Sequence, residues 1–178
     1  MLDTARVMSQ ENLEMLRRAN EPLQDVNVAP VIRAGLAGDA DAIPPDLAAA
    51  LAAWMTLFHP DVEIDTSRVD MPGFGVFRGF EGILKLFGLW IEEWDHYSWT
   101  HGNFSDAGDH VILDAEIHAT GTSSGVEVVW NLSQTFTFRD GKVIRWCVFK
   151  DRASALAATE DSVAQVAGLS EQDAPADS

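Results

Sequence analysis

The sequence has little cysteine, little positive charge and no long apolar run. Among its 178 residues there is one cysteine, Cys147, which excludes an internal disulfide and any cysteine-rich zinc site. Lys and Arg number 12 against 28 Asp and Glu, and the formal net charge is −16. This charge argues against a general binder of nucleic acid or of an anionic membrane, since both need a basic face. No apolar run approaches the roughly 20 residues of a membrane-spanning helix.

Length and composition predict one folded domain. The 178 residues are close to a typical domain length, and 47% of them are hydrophobic, as in ordinary globular proteins. The opening MLDTARVMSQEN lacks the apolar stretch of a secretion signal, so we expect a cytoplasmic protein. The residues before Ser9 and the acidic residues at the C-terminus show no hydrophobic period. This predicts a loose leader at 1–8, a single domain at 9–169 and a disordered tail at 170–178.

Three helices are predicted in the first half of the chain. The first begins at Ser9, which can cap it, and repeats apolar residues at helical spacing until Pro22. The second follows Asp46 and the third covers 80–94, because both stretches keep apolar side chains three and four residues apart. The stretch 22–46 between the first two is mixed: Val31, Ile32 and Leu36 suit a short helix, and 38–45 is typical of a loop.

From Tyr97 onward the hydrophobic period changes to two, which indicates strands. A short strand is also expected at 62–65. Turn sequences separate four further strands, and Asp140-Gly141 is the strongest hairpin signal. These strands are 97–104, 110–120, 126–138 and 142–150, and a closing helix is expected at 151–169. Helices followed by an antiparallel meander are typical of an α+β fold.

One face of the 110–120 strand is strongly polar. Asp114, Glu116 and His118 alternate there with apolar residues, and neighbours on one face of a strand are roughly 6.6–7 Å apart. In one interpretation this row faces water and the strand is simply amphipathic. In the other it lines a cavity, where a carboxylate beside an imidazole supports acid–base chemistry near neutral pH. The pattern alone favours the first interpretation.

The 126–138 strand carries a single polar residue, Gln134, on its apolar face. A buried amide without a partner costs about 1–3 kcal/mol, so Gln134 is expected to form a hydrogen bond. A backbone carbonyl or a neighbouring side chain is the favoured partner, and a ligand is the alternative.

No motif of fixed spacing identifies a reaction. The chain lacks GxSxG, HExxH, a P-loop and GxGxxG. His59, Glu63 and Asp65 do not repeat the ligand spacing of a known metal site, so no metal is expected. His101, beside the start of a strand, is expected at the surface. Cys147 is expected to be a buried, inert thiol.

Several segments resemble the SnoaL-like branch of the nuclear transport factor 2-like superfamily, between Met8 and about Leu169. They are MSQENLEMLRRANE, FHPDVEIDTSR, FRGFEGILKLF, SDAGDHVIL and SGVEVVWNLSQTFTFRDGKVIRWCVFKDRASALAA. The resemblance implies a cone, in which a strongly curved antiparallel sheet wraps around N-terminal helices and leaves a pocket at its open end. It is interrupted at 22–46, where the chain is expected to carry an insertion.

The resemblance also implies site residues. Asp65 is similar to the general base of the family's ketosteroid isomerases, and Gln134 stands where those enzymes keep a protonated acid for the oxyanion. Asn20 falls where many relatives carry a tyrosine. Val148 and Ser123 replace the aspartate of the epoxide hydrolases and the histidine of the cyclases. No characterised active site of the superfamily is therefore reproduced intact.

Polar residues of the middle strands project into the pocket in this family. The first hypothesis is accordingly a cofactor-independent acid–base enzyme, an isomerase, cyclase or related lyase or hydrolase, that acts on an apolar carbonyl compound. Asp65, Glu116 and His118 would move the proton. The substrate-binding residues would be Asn20, Trp54, Trp90, Asp114, Gln134 and Trp146.

The alternative hypothesis is a non-catalytic ligand-binding or homodimeric scaffold of the same fold. A homodimer is implied by the resemblance under both hypotheses, through the convex face of the sheet. The row Val129, Asn131, Ser133 and Thr135 would then form the interface. The other expected partner is a small apolar organic ligand.

Overall fold

Most helices precede the long strands, as the change of hydrophobic period predicts. The computed structural model describes residues 2–71 and 73–160, with side chains from residue 9 onward. Its helices and strands are α1 (Leu2–Asn20), α2 (Ala29–Ala37), α3 (Pro45–Met55), β1 (Phe58–Asp65), β2 (Val76–Arg78), α4 (Gly79–Ile91), β3 (Trp94–Ala107), β4 (His110–Gly121), β5 (Glu127–Arg139) and β6 (Lys142–Phe149). A further helix, α5, occupies 152–160. The rest of the expected closing helix and the expected tail lie outside the described residues.

The strands form one curved, unclosed sheet in the order β2-β1-β6-β5-β4-β3. The predicted α+β class is confirmed. Neighbouring strands are antiparallel except β1 and β6, which pair in parallel. The expectation of a wholly antiparallel sheet is therefore corrected at this pair. The chain between these strands contains α4 and a three-strand meander, long enough for the crossover that a parallel pair requires.

Strict alternation along β4 places the core on one face of the sheet. Val111, Leu113, Ala115, Ile117 and Ala119 are all buried there, and they belong to the cluster that also contains core residues of α1, α3 and α4. The turn between β5 and β6 has positive φ at Asp140 (51°) and Gly141 (70°). This is the conformation that the Asp-Gly pair predicts for a hairpin.

Three boundaries differ from the predictions. Helix α1 begins at Leu2 and includes Ser9, so most of the expected leader is helical. No glycine or proline interrupts this stretch, which lets the helix continue toward the N-terminus. Phe58, expected in the second helix, starts β1, because α3 ends at Met55. Strand β2 lies in the expected loop before α4 and pairs with β1.

The expected insertion, 22–46, covers an edge of the sheet. Strand β3 is the last strand on its side, and the backbone N–H groups of Asp25 and Val28 donate to its carbonyls at Trp99 and Tyr97, both over 2.9 Å. Covering an edge strand satisfies its outward-facing backbone groups. The insertion also brings α2 against α4 and β3.

Candidate functional site

A cavity of about 50 Å³ lies between the helices and the core-facing side of the sheet. Roughly 10–15 Å³ of such space holds one water, so the cavity admits a few waters or a small molecule. Its wall is mainly aromatic, formed by Trp54, Phe87, Trp90, Tyr97, Trp99, Phe136 and Trp146. No Asp, Glu, Lys or Arg lies among the described residues that line it.

The aromatic wall is held by contacts between its own rings. The Trp146 ring stacks on Phe136, with centroids 5.9 Å apart and planes 10° apart, and it meets Trp54 edge-on at 5.7 Å. On the opposite side, the rings of Trp90 and Tyr97 are 5.8 Å apart. Offset and edge-to-face pairs of this kind each add about 0.5–1.5 kcal/mol beyond area burial.

Two tryptophan N–H groups fix the orientation of two amides in the cavity. Trp54 Nε1 donates to Oδ1 of Asn20 over 3.2 Å, and Trp146 Nε1 donates to Oε1 of Gln134 over 2.8 Å. The Asn20 Nδ2 group in turn donates to the Leu16 carbonyl over 2.7 Å. Because its carbonyl is occupied, Gln134 keeps its NH₂ group for another acceptor. The expectation that a neighbouring side chain binds Gln134 is met by Trp146.

The indole N–H of Trp90 is buried and has no hydrogen-bond partner among the described residues. Leaving a buried donor unpaired costs about 1–3 kcal/mol. Trp90 lines the cavity, so an acceptor bound there would be in its neighbourhood. The cavity therefore combines an apolar wall with unused hydrogen-bond donors.

Two titratable groups of β3 face the cavity. Tyr97 and His101 lie on the same face of the strand and both line the cavity. Burial lowers the pKa of His101 to about 4, opposed by the nearby carboxylate of Asp25. Burial also raises the pKa of Tyr97 above its ordinary value. Both side chains are consequently uncharged at neutral pH, which keeps the cavity free of charge.

The structure brings together only some of the predicted site residues. Those that line the cavity are Asn20, Trp54, Trp90, Gln134 and Trp146. The predicted acid–base residues Asp65, Glu116 and His118 do not line it, and neither does Asp114.

The polar row of β4 faces away from the cavity, contrary to what the family resemblance implies. Asp114 accepts hydrogen bonds from Ser133 Oγ, over 2.6 Å, and from Arg152 of α5. His118 and Glu116 bond to each other over 2.8 Å, with 43% and 48% of their side chains exposed. Because the apolar residues of β4 occupy the core-facing side, the alternation places these three on the outer face. The structure therefore agrees with the first interpretation of this strand, in which its polar row faces away from the core.

Asp65 also lies on the outer face of the sheet, at the end of β1. Its Oδ1 accepts from the backbone N–H of Ser67 over 3.0 Å and from the Ser67 hydroxyl over 2.6 Å. Its Oδ2 is 3.5 Å from Nη2 of Arg145. Since Ile64 next to it is part of the core, alternation turns Asp65 outward. The expectation that Asp65 faces the pocket is thereby corrected.

Sequence reasoning missed His101, Tyr97 and Trp99 as cavity residues. His101 was expected at the surface because it was placed beside the start of a strand, but β3 begins at Trp94, so His101 lies well inside the strand. The signal was the alternation of Tyr97, Trp99 and His101, which puts three rings on one face of a strand.

Cys147 lies buried on the outer face of β6, and burial raises the pKa of its thiol. Within residues 2–71 and 73–160, no three His, Cys, Asp or Glu side chains come together closely enough to hold a metal ion. No helix in that part of the chain is long and apolar enough to cross a membrane.

The fold and the site together define the class of protein: an α+β cone that encloses a small aromatic cavity. The sequence profile of the SnoaL-like domain matches residues 47–146, more than half of the chain, and the protein therefore belongs to the SnoaL-like family. No curated protein matches it in sequence.

Three solved structures are similar to it and share the nuclear transport factor 2-like fold. An NTF2-like protein from Burkholderia thailandensis E264 is 23% identical, with a TM-score of 0.52 over 75% of this chain and 95% of that one. Bal32a, from a soil-derived mobile gene cassette, is 19% identical, with a TM-score of 0.55 over 79% and 88%. TerC, co-crystallised with polyporic acid, is 22% identical, with a TM-score of 0.51 over 74% and 98%.

Proposed function

We propose that the cavity binds a small, uncharged and largely apolar organic molecule that carries a hydrogen-bond-accepting oxygen, such as a carbonyl. The observation that carries this proposal is the buried, unpaired N–H of Trp90 in an otherwise aromatic, uncharged wall. A charged ligand would lose its hydration without finding a counter-charge. The volume of about 50 Å³ supports a ligand well below drug size, since drug-sized ligands need roughly 300–1,000 Å³.

The unused polar groups of the cavity favour an acceptor over a donor. The side-chain carbonyls of Asn20 and Gln134 are already occupied by indole N–H groups. The remaining donors are the NH₂ of Gln134, the N–H of Trp90 and the hydroxyl of Tyr97, while the neutral His101 can accept through one ring nitrogen. A ligand oxygen satisfies these groups, whereas a hydrocarbon of the same shape leaves Trp90 unpaired.

Cyclohexanone and methylenecyclohexane test this proposal, because they differ only by an oxygen in place of a CH₂ group. We expect the ketone to bind about tenfold more tightly and to move the indole N–H resonance of Trp90 in NMR spectra. Trp90→Phe should reduce the difference between the two probes, because only the NH₂ of Gln134 and the Tyr97 hydroxyl then remain to donate to the ketone oxygen. Trp94→Phe is the matched control, because Trp94 is also a tryptophan of this region but does not line the cavity. Equal binding of both probes, or binding of neither, would refute the proposal.

Proton transfer to and from such a ligand is the second candidate function, and the position of His101 favours it. Its imidazole lines the cavity and, with a pKa of about 4, is neutral and able to accept a proton. Tyr97, on the same face of β3, is a hydroxyl donor for the ligand oxygen. A base and an oxyanion partner suffice for proton abstraction beside a carbonyl, so the mechanism requires no cofactor. Because a base of this pKa is weak, the substrate would be an activated carbon acid.

Deuterium uptake at the carbon beside the carbonyl tests the catalytic role. The wild-type protein should accelerate uptake into an activated ketone such as a small 1,3-diketone in D₂O, His101→Phe should lose the acceleration, and Glu116→Gln should keep it. Uptake at the buffer rate in the wild type would leave ligand binding as the function of this cavity and exclude proton transfer.

We also infer a homodimer through the outer face of the sheet, as the family resemblance implies. Val129 is 58% exposed there. Ser133 and Thr135, also expected in the interface, are already buried within the chain, so the contact would centre on Val129 and Asn131. Light scattering after size-exclusion chromatography should give a dimer mass, and Val129→Asp should give a monomer. A wild-type monomer at micromolar concentration would contradict the inference.

A further inference from the structure

A second cavity, of about 140 Å³, lies on the outer face of the sheet beside α5. It is separated from the aromatic cavity by the sheet itself, and its lining is different in kind. The polar side chains that line it are Arg68, His110, Thr135, Thr137, Arg145 and Thr159. Among the described residues that line it there is no carboxylate.

The two arginines of this cavity are only partly engaged by neighbouring carboxylates. Arg68 stands over the ring of Phe149 at 5.3 Å, and its closest carboxylate oxygen, on Asp65, is 3.9 Å away. Arg145 reaches Glu63 over 3.3 Å and Asp65 over 3.5 Å. These carboxylates accept their shorter hydrogen bonds from other donors: the Ser67 hydroxyl donates to Asp65, and Arg78 donates to Glu63. Both guanidinium groups therefore keep unused donors.

His110 and two threonines complete the wall. The Nδ1 atom of His110 lies 2.9 Å from the Thr137 hydroxyl, and its Nε2 atom has no hydrogen-bond partner within the described part of the chain. Burial lowers the pKa of His110; Asp109 raises it and Arg145 lowers it further. The imidazole is therefore neutral at neutral pH and offers one N–H group. Thr135, two residues before Thr137 on the same face of β5, is buried.

We propose that this cavity is a binding site for a phosphate group, either inorganic phosphate or the phosphate of a small monoester. Its donors come from the loop after β1, from β4, from β5 and from β6, so they converge from different directions. A tetrahedral oxyanion can accept from donors in several directions at once, and guanidinium groups form charge-assisted hydrogen bonds with phosphate oxygens. Around half of the side chain of each arginine is exposed, which gives an anion a route from solvent.

The size of the cavity limits the ligand. With roughly 10–15 Å³ of such space for one water, a cavity of about 140 Å³ corresponds to about ten waters, or to one phosphate group with a small substituent. The charged groups around the site are Arg68, Arg78 and Arg145 and the carboxylates of Glu63, Asp65 and Asp109, three of each sign, so phosphate binding relies on the unused N–H groups of Arg68 and Arg145 and not on a net positive charge.

The proposal is tested on the full chain with inorganic phosphate, with acetate, and with chloride at equal ionic strength. We expect phosphate to raise the melting temperature and to move the His110 Hε1 resonance, with acetate and chloride giving smaller effects. Arg68→Gln should weaken phosphate binding about tenfold or more, because it removes a charge-assisted donor. Arg78→Gln is the matched control, since this arginine belongs to the same charge group but does not line the cavity.

Thr137→Val provides a second variant if Arg68→Gln does not fold. The proposal is overturned if phosphate acts no more strongly than chloride, or if Arg68→Gln and Thr137→Val both respond like the wild type. A response to acetate equal to that to phosphate would overturn the phosphate assignment in favour of a general carboxylate site. Trp90→Phe should leave the phosphate response unchanged, because the aromatic cavity is on the other side of the sheet.

Discussion

The indole N–H of Trp146 donates to the side-chain carbonyl of Gln134 over 2.8 Å, from β6 to β5. This bond determines which end of the amide is free, and it leaves the NH₂ group as the available one. Trp54 acts in the same way on Asn20. The aromatic residues of the cavity thus set its hydrogen-bonding character as well as its apolar surface.

Gln134→Leu should lower the free energy of unfolding by about 1–3 kcal/mol, because it leaves the buried N–H of Trp146 without an acceptor. Urea unfolding measures the change. The double variant Gln134→Leu/Trp146→Phe removes both partners. Its decrease in the free energy of unfolding should therefore be smaller than the sum of the decreases in the two single variants. Strict additivity would mean that this hydrogen bond contributes nothing.

Stability should fall in acid because of His101. Its pKa is about 4 in the folded protein, owing to burial, and near 6.5 in the unfolded chain. Between these values the unfolded chain binds the extra proton, so the free energy of unfolding declines as the pH drops from about 6.5 through about 4. The lowered pKa of His110 adds to this decline in the free energy of unfolding.

Urea unfolding at a series of pH values measures this dependence. His101→Phe should make the decline shallower and keep only the part that other groups contribute. An equally steep decline in this variant would show that His101 does not lose its proton on folding.

The pair Glu116–His118 should contribute little to stability and nothing to ligand binding. Both side chains are nearly half exposed on the outer face, 43% for His118 and 48% for Glu116. Exposed ion pairs contribute roughly 0–1 kcal/mol. A double-mutant cycle with Glu116→Gln and His118→Gln should give a coupling energy in that range, with unchanged affinity for the ketone probe. A large loss of affinity for the ketone probe in these variants would show that Glu116 and His118 take part in ligand binding after all.

Arg33 should hold α2 in place over the cavity. Its Nη2 donates to the Ile91 carbonyl over 3.1 Å and also to the carbonyl of Trp94, while Ile32 beside it lines the cavity. Arg33→Ala should speed amide hydrogen exchange in α2 about tenfold or more, with little change in β5. Arg17→Ala, which removes an exposed arginine of α1, is the control. Equal exchange in both variants would show that α2 is held by packing alone.

Much of the fold could be predicted from local patterns. The long strands follow the period-two alternation after Tyr97, and the hairpin at Asp140-Gly141 follows from two residues that tolerate positive φ. The cavity residues Trp54 and Trp90 could be expected from apolar helix faces and the family resemblance. The start of α1 and the short strand β2 could not, because a helix end is poorly marked by the local pattern and an edge strand depends on the strand with which it pairs.

The sequence by itself determined the α+β class, the order of the elements and the division of each strand into two faces. Only the tertiary structure decided which face encloses the cavity. Alternation places Glu116 and Ile117 on opposite faces of β4 but does not show which face the helices cover. Helices α1, α3 and α4 bury the apolar face of β4, so its carboxylates point outward. His101 lies inside because these helices also cover the face of β3 that carries it.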